Sequence, residues 1–404
     1  MSKKSALFNK KDLLFIFLCY NNIIRSDNIN VISEKRKVKY MSKESIAIVF
    51  GTFAPMHKGH IDLIQRAKRE NNKVVVVASG YKDDRGDTIG LNLQRRFRYI
   101  RETFHNDELV KVVKLDETNL PPMPDGWSEW LYKLGQATEI ESIANQISKD
   151  GTRLGESDTE IVFYVSELDY ADELNSRGFK TKYGSRNFGI SATAIRENPA
   201  KYWNFIARPF RRHFSKQVLI VGSASNGKTT LARDLGRYYS APVSYEYSRH
   251  YQQKYNVRDD ELQAKDYTNL LTGQYKQTQN LIDSNENRGL VIADTNSTVT
   301  KAYYDYYLDM PKDTNDAFNR LYQLTASEEK WDAIIFIKPT GTYVNDGYRD
   351  MTMADDAIRN EFSDYLDCLI TTNHPTVPVY YIDGDYIGNY AKAIEIIDTI
   401  YKDI

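Results

Sequence analysis

Cysteine is almost missing from these 404 residues. Only Cys19 and Cys368 occur, too few and too far apart for a disulfide framework or a cysteine-rich zinc site, which agrees with a reducing, cytoplasmic setting. Net charge is missing too: 54 Lys and Arg face 55 Asp and Glu. No whole-chain field therefore draws the protein to nucleic acid, and basic residues must act locally. No apolar run is long enough to cross a bilayer. Residues 13–20, behind Lys10 and Lys11, have the charged and apolar parts of an export signal, but they lack a small-residue cleavage site and fall short of the about 20 residues a spanning helix needs. There is no internal repeat and no low-complexity tract.

The length sets a prior of two to three domains. Met41-Ser-Lys43 repeats the opening Met1-Ser-Lys3 and leads within a few residues into a strand-like run. Met41 is the expected natural start, and residues 1–44 are expected to form an extension outside the native fold. From Ile46 onward, short apolar runs alternate with longer helical stretches, the pattern of β-α units around a parallel sheet. Strands are expected at 46–50, 73–78, 110–115 and 160–165, with helices between them, one spanning 127–148. An aromatic-rich connector at 199–215 separates this domain (45–198) from a second (216–404). The second restarts the pattern with strands at 218–221, 242–245, 290–293, 333–337 and 377–381. Residues 339–350, polar and containing Gly341 and Gly347, read as a mobile lid. The expected fold class is α/β: a doubly wound Rossmann-like sheet followed by a P-loop kinase domain.

Two phosphate-binding patterns carry the chemistry. Gly51-Thr-Phe-Ala-Pro-Met-His-Lys-Gly-His60 follows the first strand. There the chain can turn at Gly51 and open a helix near His60, whose N–H groups and dipole receive an anion, with His57 and His60 as further donors. Ser191-Ala-Thr-Ala-Ile-Arg196 reads as a second helix start, capped by Ser191. Downstream, Gly222-Ser-Ala-Ser-Asn-Gly-Lys-Thr229 has the Gly-x-x-x-x-Gly-Lys-Thr spacing. Its backbone, from Gly222 through Ser223, Ala224, Ser225, Asn226 and Gly227 to Thr230, would cradle phosphates. Lys228 would neutralise them and Thr229 would hold Mg²⁺. Glu246 and Asp294 stand just past the next strands, as substrate and metal carboxylates or as helix caps. Arg349, in the lid, is a candidate to close over the transferring group.

The first pattern resembles the nucleotidyltransferase superfamily. In that superfamily a His-x-Gly-His segment, here His57 to His60, binds ATP phosphates, and Ser191, Thr193 and Arg196 would hold the departing pyrophosphate. Gly51, Thr52 and Phe53 would wall the ATP and substrate. Taken with Gly80 to Gly86, Tyr164 to Asp169, Ile190 to Phe210, Tyr245 to Arg249 and Ile292 to Asn296, the chain from Ser45 on resembles the bifunctional nicotinamide-mononucleotide adenylyltransferase and ribosylnicotinamide kinase family.

The resemblance implies NAD salvage. Ribosylnicotinamide would be phosphorylated in the second domain and the mononucleotide adenylylated in the first, with ATP as co-substrate and Mg²⁺ as cofactor. Catalysis would fall to His57, His60, Arg196, Lys228, Glu246 and Asp294. Trp127, which opens a helix after the turn at 121–124, is the expected stacking partner of the pyridinium in the first domain, and the Tyr303–Tyr307 run supplies aromatics in the second. Family members often carry an acidic residue where this chain has Ala224, and some begin with a DNA-binding module. Residues 1–40 are too few and wrongly patterned for that module, so neither nucleic acid nor a membrane is an expected partner. A homo-oligomer is compatible with the sequence. The same fold pair acting on another phosphorylated substrate, or a low-turnover NAD or ATP sensor, are the competing readings. A chain begun at Met41 is expected to stay soluble and to keep its adenylyltransferase activity.

Overall fold

The computed structural model describes residues 44–155, 157–184, 188–308 and 316–401. The extension expected over 1–44, with Cys19 and Met41, lies outside them except for Glu44. A first sheet contains β1 (Glu44–Gly51), β2 (Lys73–Gly80), β3 (Val110–Asp116), β4 (Thr159–Val165) and β5 (Lys180–Tyr183), all parallel, in the order β3-β2-β1-β4-β5.

Its strands are apolar on both sides because helices cover both faces. Ala47 and Val49 of β1 pack with Ile64 and Ala67 of α1 (Lys58–Glu70) and with Tyr99 and Ile100 of α2 (Leu93–Thr103). Ile46 and Ile48 face the other way, onto Trp127, Trp130 and Leu134 of α3 (Trp127–Ala137) and Ile143 of α4 (Glu141–Ala144). The single helix expected over 127–148 is thus broken. The Thr138 hydroxyl turns back onto the Gly135 carbonyl at 2.9 Å, and Glu139 takes a left-handed φ of 51°. β5 escaped the sequence reading because an edge strand of Lys-Thr-Lys-Tyr has no apolar run. Helices α5 (Leu168–Ser176) and α6 (Ala192–Glu197) complete this half.

The second sheet is also parallel, in the order β10-β9-β6-β8-β7. Its strands are β6 (Lys216–Val221), β7 (Val243–Ser244), β8 (Leu290–Asp294), β9 (Ala333–Ile337) and β10 (Val379–Ile382). The segment between the halves folds as α7 (Arg208–Phe214). It is followed by α8 (Lys228–Tyr239), α9 (Tyr247–Tyr255), α10 (Ala264–Ile282), α11 (Ser297–Tyr307), α12 (Ala317–Glu328), α13 (Asp356–Asn373) and α14 (Tyr386–Ile400). One face packs Val218, Ile220 and Ile292 on Leu231 and Leu235 of α8 and Ile397 of α14. The other packs Leu219, Val221 and Phe336 on Val299 of α11 and Phe362 and Leu366 of α13.

The aromatic connector is no free spacer. Trp203 and Phe210 enter the first core, and the Ala207 N–H donates to the Met56 carbonyl at 3.0 Å. Trp203 also donates its indole N–H to the Asn287 carbonyl of the second half at 3.0 Å. Arg212 pairs with Glu102 at 2.6 Å on one side and Asp283 at 3.0 Å on the other.

His213, next along α7, is held neutral: burial, helped by Arg95, lowers its pKa from 6.5 to about 4. The unfolded chain therefore binds a proton that the folded chain refuses between those values. Stability present above pH 6.5 should fall as the pH drops toward 4. His213→Gln should flatten that loss, by up to about 3 kcal/mol, in urea unfolding followed across this range. An unchanged slope would refute the assignment.

Candidate active sites

The first cavity, about 470 Å³, opens at the carboxyl ends of β1 and β4, where the strand order reverses and open α/β sheets bind ligands. β1 ends at Gly51, and Phe53 turns the chain through a left-handed φ of 48°. His57 then caps α1 in extended conformation. The His57 N–H donates to Nδ1 of His60 at 3.3 Å, so His60 carries its proton on Nε2. The two imidazoles stack with centroids 3.8 Å apart, and Phe53 meets His60 edge-on at 4.9 Å. Gly51, Thr52, Phe53, His57, His60, Ser191 and Thr193 all line this cavity.

Ser191 caps α6 as expected, accepting the Ala194 N–H at 3.1 Å. Arg196 is not among the lining residues. It donates to the Ala54 carbonyl at 2.8 Å and to Thr193 Oγ1 at 3.0 Å. Burial, and then the nearby charge of Arg85, lower its pKa.

Arg85 does line the cavity and donates to Thr52 Oγ1 at 3.0 Å. The run from Gly80 to Gly86 stood out in the sequence, but nothing in it singled out this arginine. Asp84, beside it, is locked by Arg96 through bonds of 3.0 and 2.6 Å, both side chains almost fully buried. Burial pushes the Asp84 carboxyl up, yet the Arg96 bonds and the N–H groups of Asp87 and Gly86 hold it below its ordinary value.

Trp127 corrects an expectation. It is 3 % exposed and belongs to the core under α3 rather than to the cavity wall, because the apolar stripe of α3 turns it onto the sheet. It touches Phe50 and Tyr170 edge-on, at 6.2 and 5.3 Å. Those two rings stack on each other at 5.8 Å and face the cavity.

In the second half, Gly222 follows β6 with φ 147°, where any Cβ would lie 2.5 Å from the Ile337 carbonyl oxygen; only glycine fits. Gly227 caps α8 with φ 77°. Lys228 folds back onto the Ser223 carbonyl at 2.9 Å. Burial lowers its pKa, although Glu246 and Asp294 oppose this. The Thr229 hydroxyl donates to Asp294 Oδ2 at 2.6 Å. Burial, with repulsion from Glu246, raises the Asp294 pKa to about 6.

A cavity of about 160 Å³ lies over this loop, lined by Ala224 to Thr230, Glu246, Arg249, Asp259, Tyr303, Tyr307 and Arg349 among others. Gly222, Ser223 and Asp294 lie behind its surface. Asp259, unmarked in the sequence, accepts from Gln252 at 2.7 Å and from the Asp350 N–H at 3.2 Å. Burial raises its pKa to about 6. The segment 339–350 crosses the loop: Val344 N–H and Arg349 Nη1 both reach Ser225 Oγ, at 2.9 and 2.6 Å. Asp346 joins Arg349 to Arg249 at 3.3 and 2.6 Å.

These features define a tandem of two nucleotide-handling α/β domains, a nucleotidyltransferase sheet and a P-loop domain. The family models agree, with a cytidylyltransferase-like match over residues 48–198 and an AAA-domain match over 217–382. The trifunctional NAD biosynthesis/regulator protein NadR of Escherichia coli (strain K12) is 26 % identical over 367 residues, 88 % of this chain and 83 % of that protein. A crystal structure of NadR protein in complex with NR is 38 % identical at TM-score 0.76, covering 90 % of this chain and 98 % of that one. A second, in complex with NAD and AMP-PNP, is 38 % identical at TM-score 0.73, covering 89 % and 97 %. The chain belongs to the NadR family of nicotinamide-mononucleotide adenylyltransferases and ribosylnicotinamide kinases.

The Asp84–Arg96 pair gives a direct test of how the first site is held. Arg96→Ala would strand a buried carboxylate, a defect that costs about 3–5 kcal/mol. Chemical denaturation of the intact variant should show a loss of that order. A loss below about 1 kcal/mol would mean that solvent already reaches Asp84.

Proposed function

We propose that this chain runs two consecutive steps of NAD salvage: phosphorylation of ribosylnicotinamide by ATP in the second domain, then adenylylation of the resulting mononucleotide in the first. One observation carries the reading. Two separately built phosphate sites stand in a chain 38 % identical to nearly the whole of a NadR protein solved with NR and, in another crystal, with NAD and AMP-PNP.

In the first cavity the substrate phosphate attacks the α-phosphorus of ATP and pyrophosphate leaves, so the protein's part is positioning and charge stabilisation. His60 Nε2–H and the first N–H groups of α1 receive the β- and γ-phosphates, with His57 beside them. Arg85 and Arg196 supply two guanidinium groups for the anion, and Arg196 leaves the Ala54 carbonyl to do so. The stacked Phe50 and Tyr170 offer the aromatic face to the nicotinamide, in place of Trp127.

In the second cavity Glu246 accepts the proton of the nucleoside hydroxyl as that oxygen attacks the γ-phosphorus. Lys228 and Arg349 steady the transferring group. Asp259, with Tyr303 and Tyr307, suits a cationic pyridinium. Mg²⁺ fits on one observation: Oδ1 of Asp294 is buried without a hydrogen-bond partner while Oδ2 holds Thr229. Thr229 and Asp294 would hold the ion, which would offset the charge of the triphosphate. Among the described residues no cluster of three His, Cys, Asp or Glu could bind a metal alone, as suits an ion that keeps its waters and the phosphates as ligands. Dependence on ATP, and a free exposed Cys368, favour the cytoplasm.

The two steps should separate by mutation. Lys228→Ala should lower phosphorylation of ribosylnicotinamide about a hundredfold and spare adenylylation of added mononucleotide, and His60→Ala should do the reverse. Product masses from each half-reaction decide the matter. Equal loss of both steps in a folded variant would sink the assignment of separate sites.

A further inference from the structure

Asp294 is delivered to the second site by an improbable piece of backbone. The next residue, Thr295, is β-branched yet has φ 87°, a conformation that such a residue adopts only under constraint. The Thr295 N–H is tied to the Ile220 carbonyl at 3.1 Å, but its hydroxyl is buried without a partner. What holds the other side of the turn comes from a different element.

Glu329, just past the end of α12, turns its carboxylate onto the start of α11. One oxygen accepts Asn296 Nδ2–H at 2.8 Å and the other accepts the Ser297 N–H at 3.1 Å. Asn296 in turn caps α11 by accepting the Val299 N–H at 3.2 Å. Asn296 and Ser297 are both buried, at 1 and 0 % exposure, so no water can replace the carboxylate. The helix N-terminus favours a carboxylate there, although burial raises the Glu329 pKa to about 7 against the bonds from Ser297 and Asn296.

We infer that Glu329 is a positioning residue for phosphoryl transfer, acting through Asn296 and Ser297 to fix the β8–α11 turn and hence the Asp294 carboxylate. This rests on reading the second cavity as the kinase site. It touches neither the lining of that cavity nor Thr229, so its effect must run through the turn.

The chemistry dictates the test. Glu329→Gln keeps the shape but leaves one acceptor for two donors. Asn296 cannot flip to compensate without giving up Val299, so one bond must be lost. In the intact chain, Glu329→Gln should lower the kinase kcat about tenfold, the low end for a group that orients a metal ligand. KM for ribosylnicotinamide and the adenylylation rate should stay unchanged. Calorimetry should show ADP binding weakened by a similar factor with Mg²⁺ present and unaltered without it. Asn296→Ala should show the same split, and the double variant should be no worse than the poorer single one, because both act on one turn. Wild-type kcat and wild-type Mg²⁺-dependent ADP binding in Glu329→Gln would overturn the inference, as would effects that multiply in the double variant. If Glu329→Gln does not fold, Asn296→Ala decides by the same two readouts. A wild-type chain that fails to phosphorylate ribosylnicotinamide would overturn the functional reading instead, and the Mg²⁺-dependent part of ADP binding would still judge Glu329.

Discussion

Both sites depend on one backbone constraint. A strand that ends at the carboxyl edge of a parallel sheet must hand over to a helix whose first N–H groups point back at the ligand, and the shortest route passes through the left-handed region. Phe53 at φ 48° makes that turn in the first domain, and Gly227 at 77° and Thr295 at 87° make it in the second. Only one of the three is glycine. Strain at the other two persists because the surroundings over-determine them: Phe53 is 3 % exposed and packs on His60, and Thr295 lies between its bond to Ile220 and the Glu329 clamp.

The same constraint explains where charge is placed. A helix N-terminus supplies partial positive charge but no selectivity, so each site adds fixed cations nearby: Arg85 and Arg196 in the first, Lys228, Arg249 and Arg349 in the second. Like charges crowded together are unfavourable until an anion arrives. In the structure each of these cations has a protein acceptor, the Ala54 carbonyl for Arg196, the Ser223 carbonyl for Lys228 and Asp346 for the two arginines of the second cavity. The two carbonyls are neutral acceptors, weaker partners for a cation than a phosphate oxygen, whereas Asp346 makes charge-assisted pairs of its own.

Legibility in the sequence follows the range of the interactions. The strand cores, the Ser191 cap and the P-loop were readable because their signals lie within a few residues. The break at Thr138 and Glu139 was not, since a threonine folding its hydroxyl back on the preceding turn looks like an ordinary helical position. Nor was Asp259, whose meaning comes from a bond to Asp350, 91 residues away. Trp127 was misjudged because its place after a proline turn fits a cavity rim and a core equally well; which way α3 rolls on the sheet decides between them. Arg85 stood inside a recognisable run, but its place in the cavity comes with a bond to Thr52, 33 residues away.

The connector bears on how far the two domains are independent. Trp203 is buried in the first core while its indole N–H is committed to the second half, and Arg212 is paired on both sides. The domains are therefore joined by buried and half-buried contacts as well as by the chain. Such attachment does not require the sites to communicate. Neither cavity includes a connector residue in its lining, and coupling would need an element with two discrete arrangements that both sites bias. Each cavity is lined entirely within its own domain, which favours two active sites sharing a scaffold while each keeps its own chemistry.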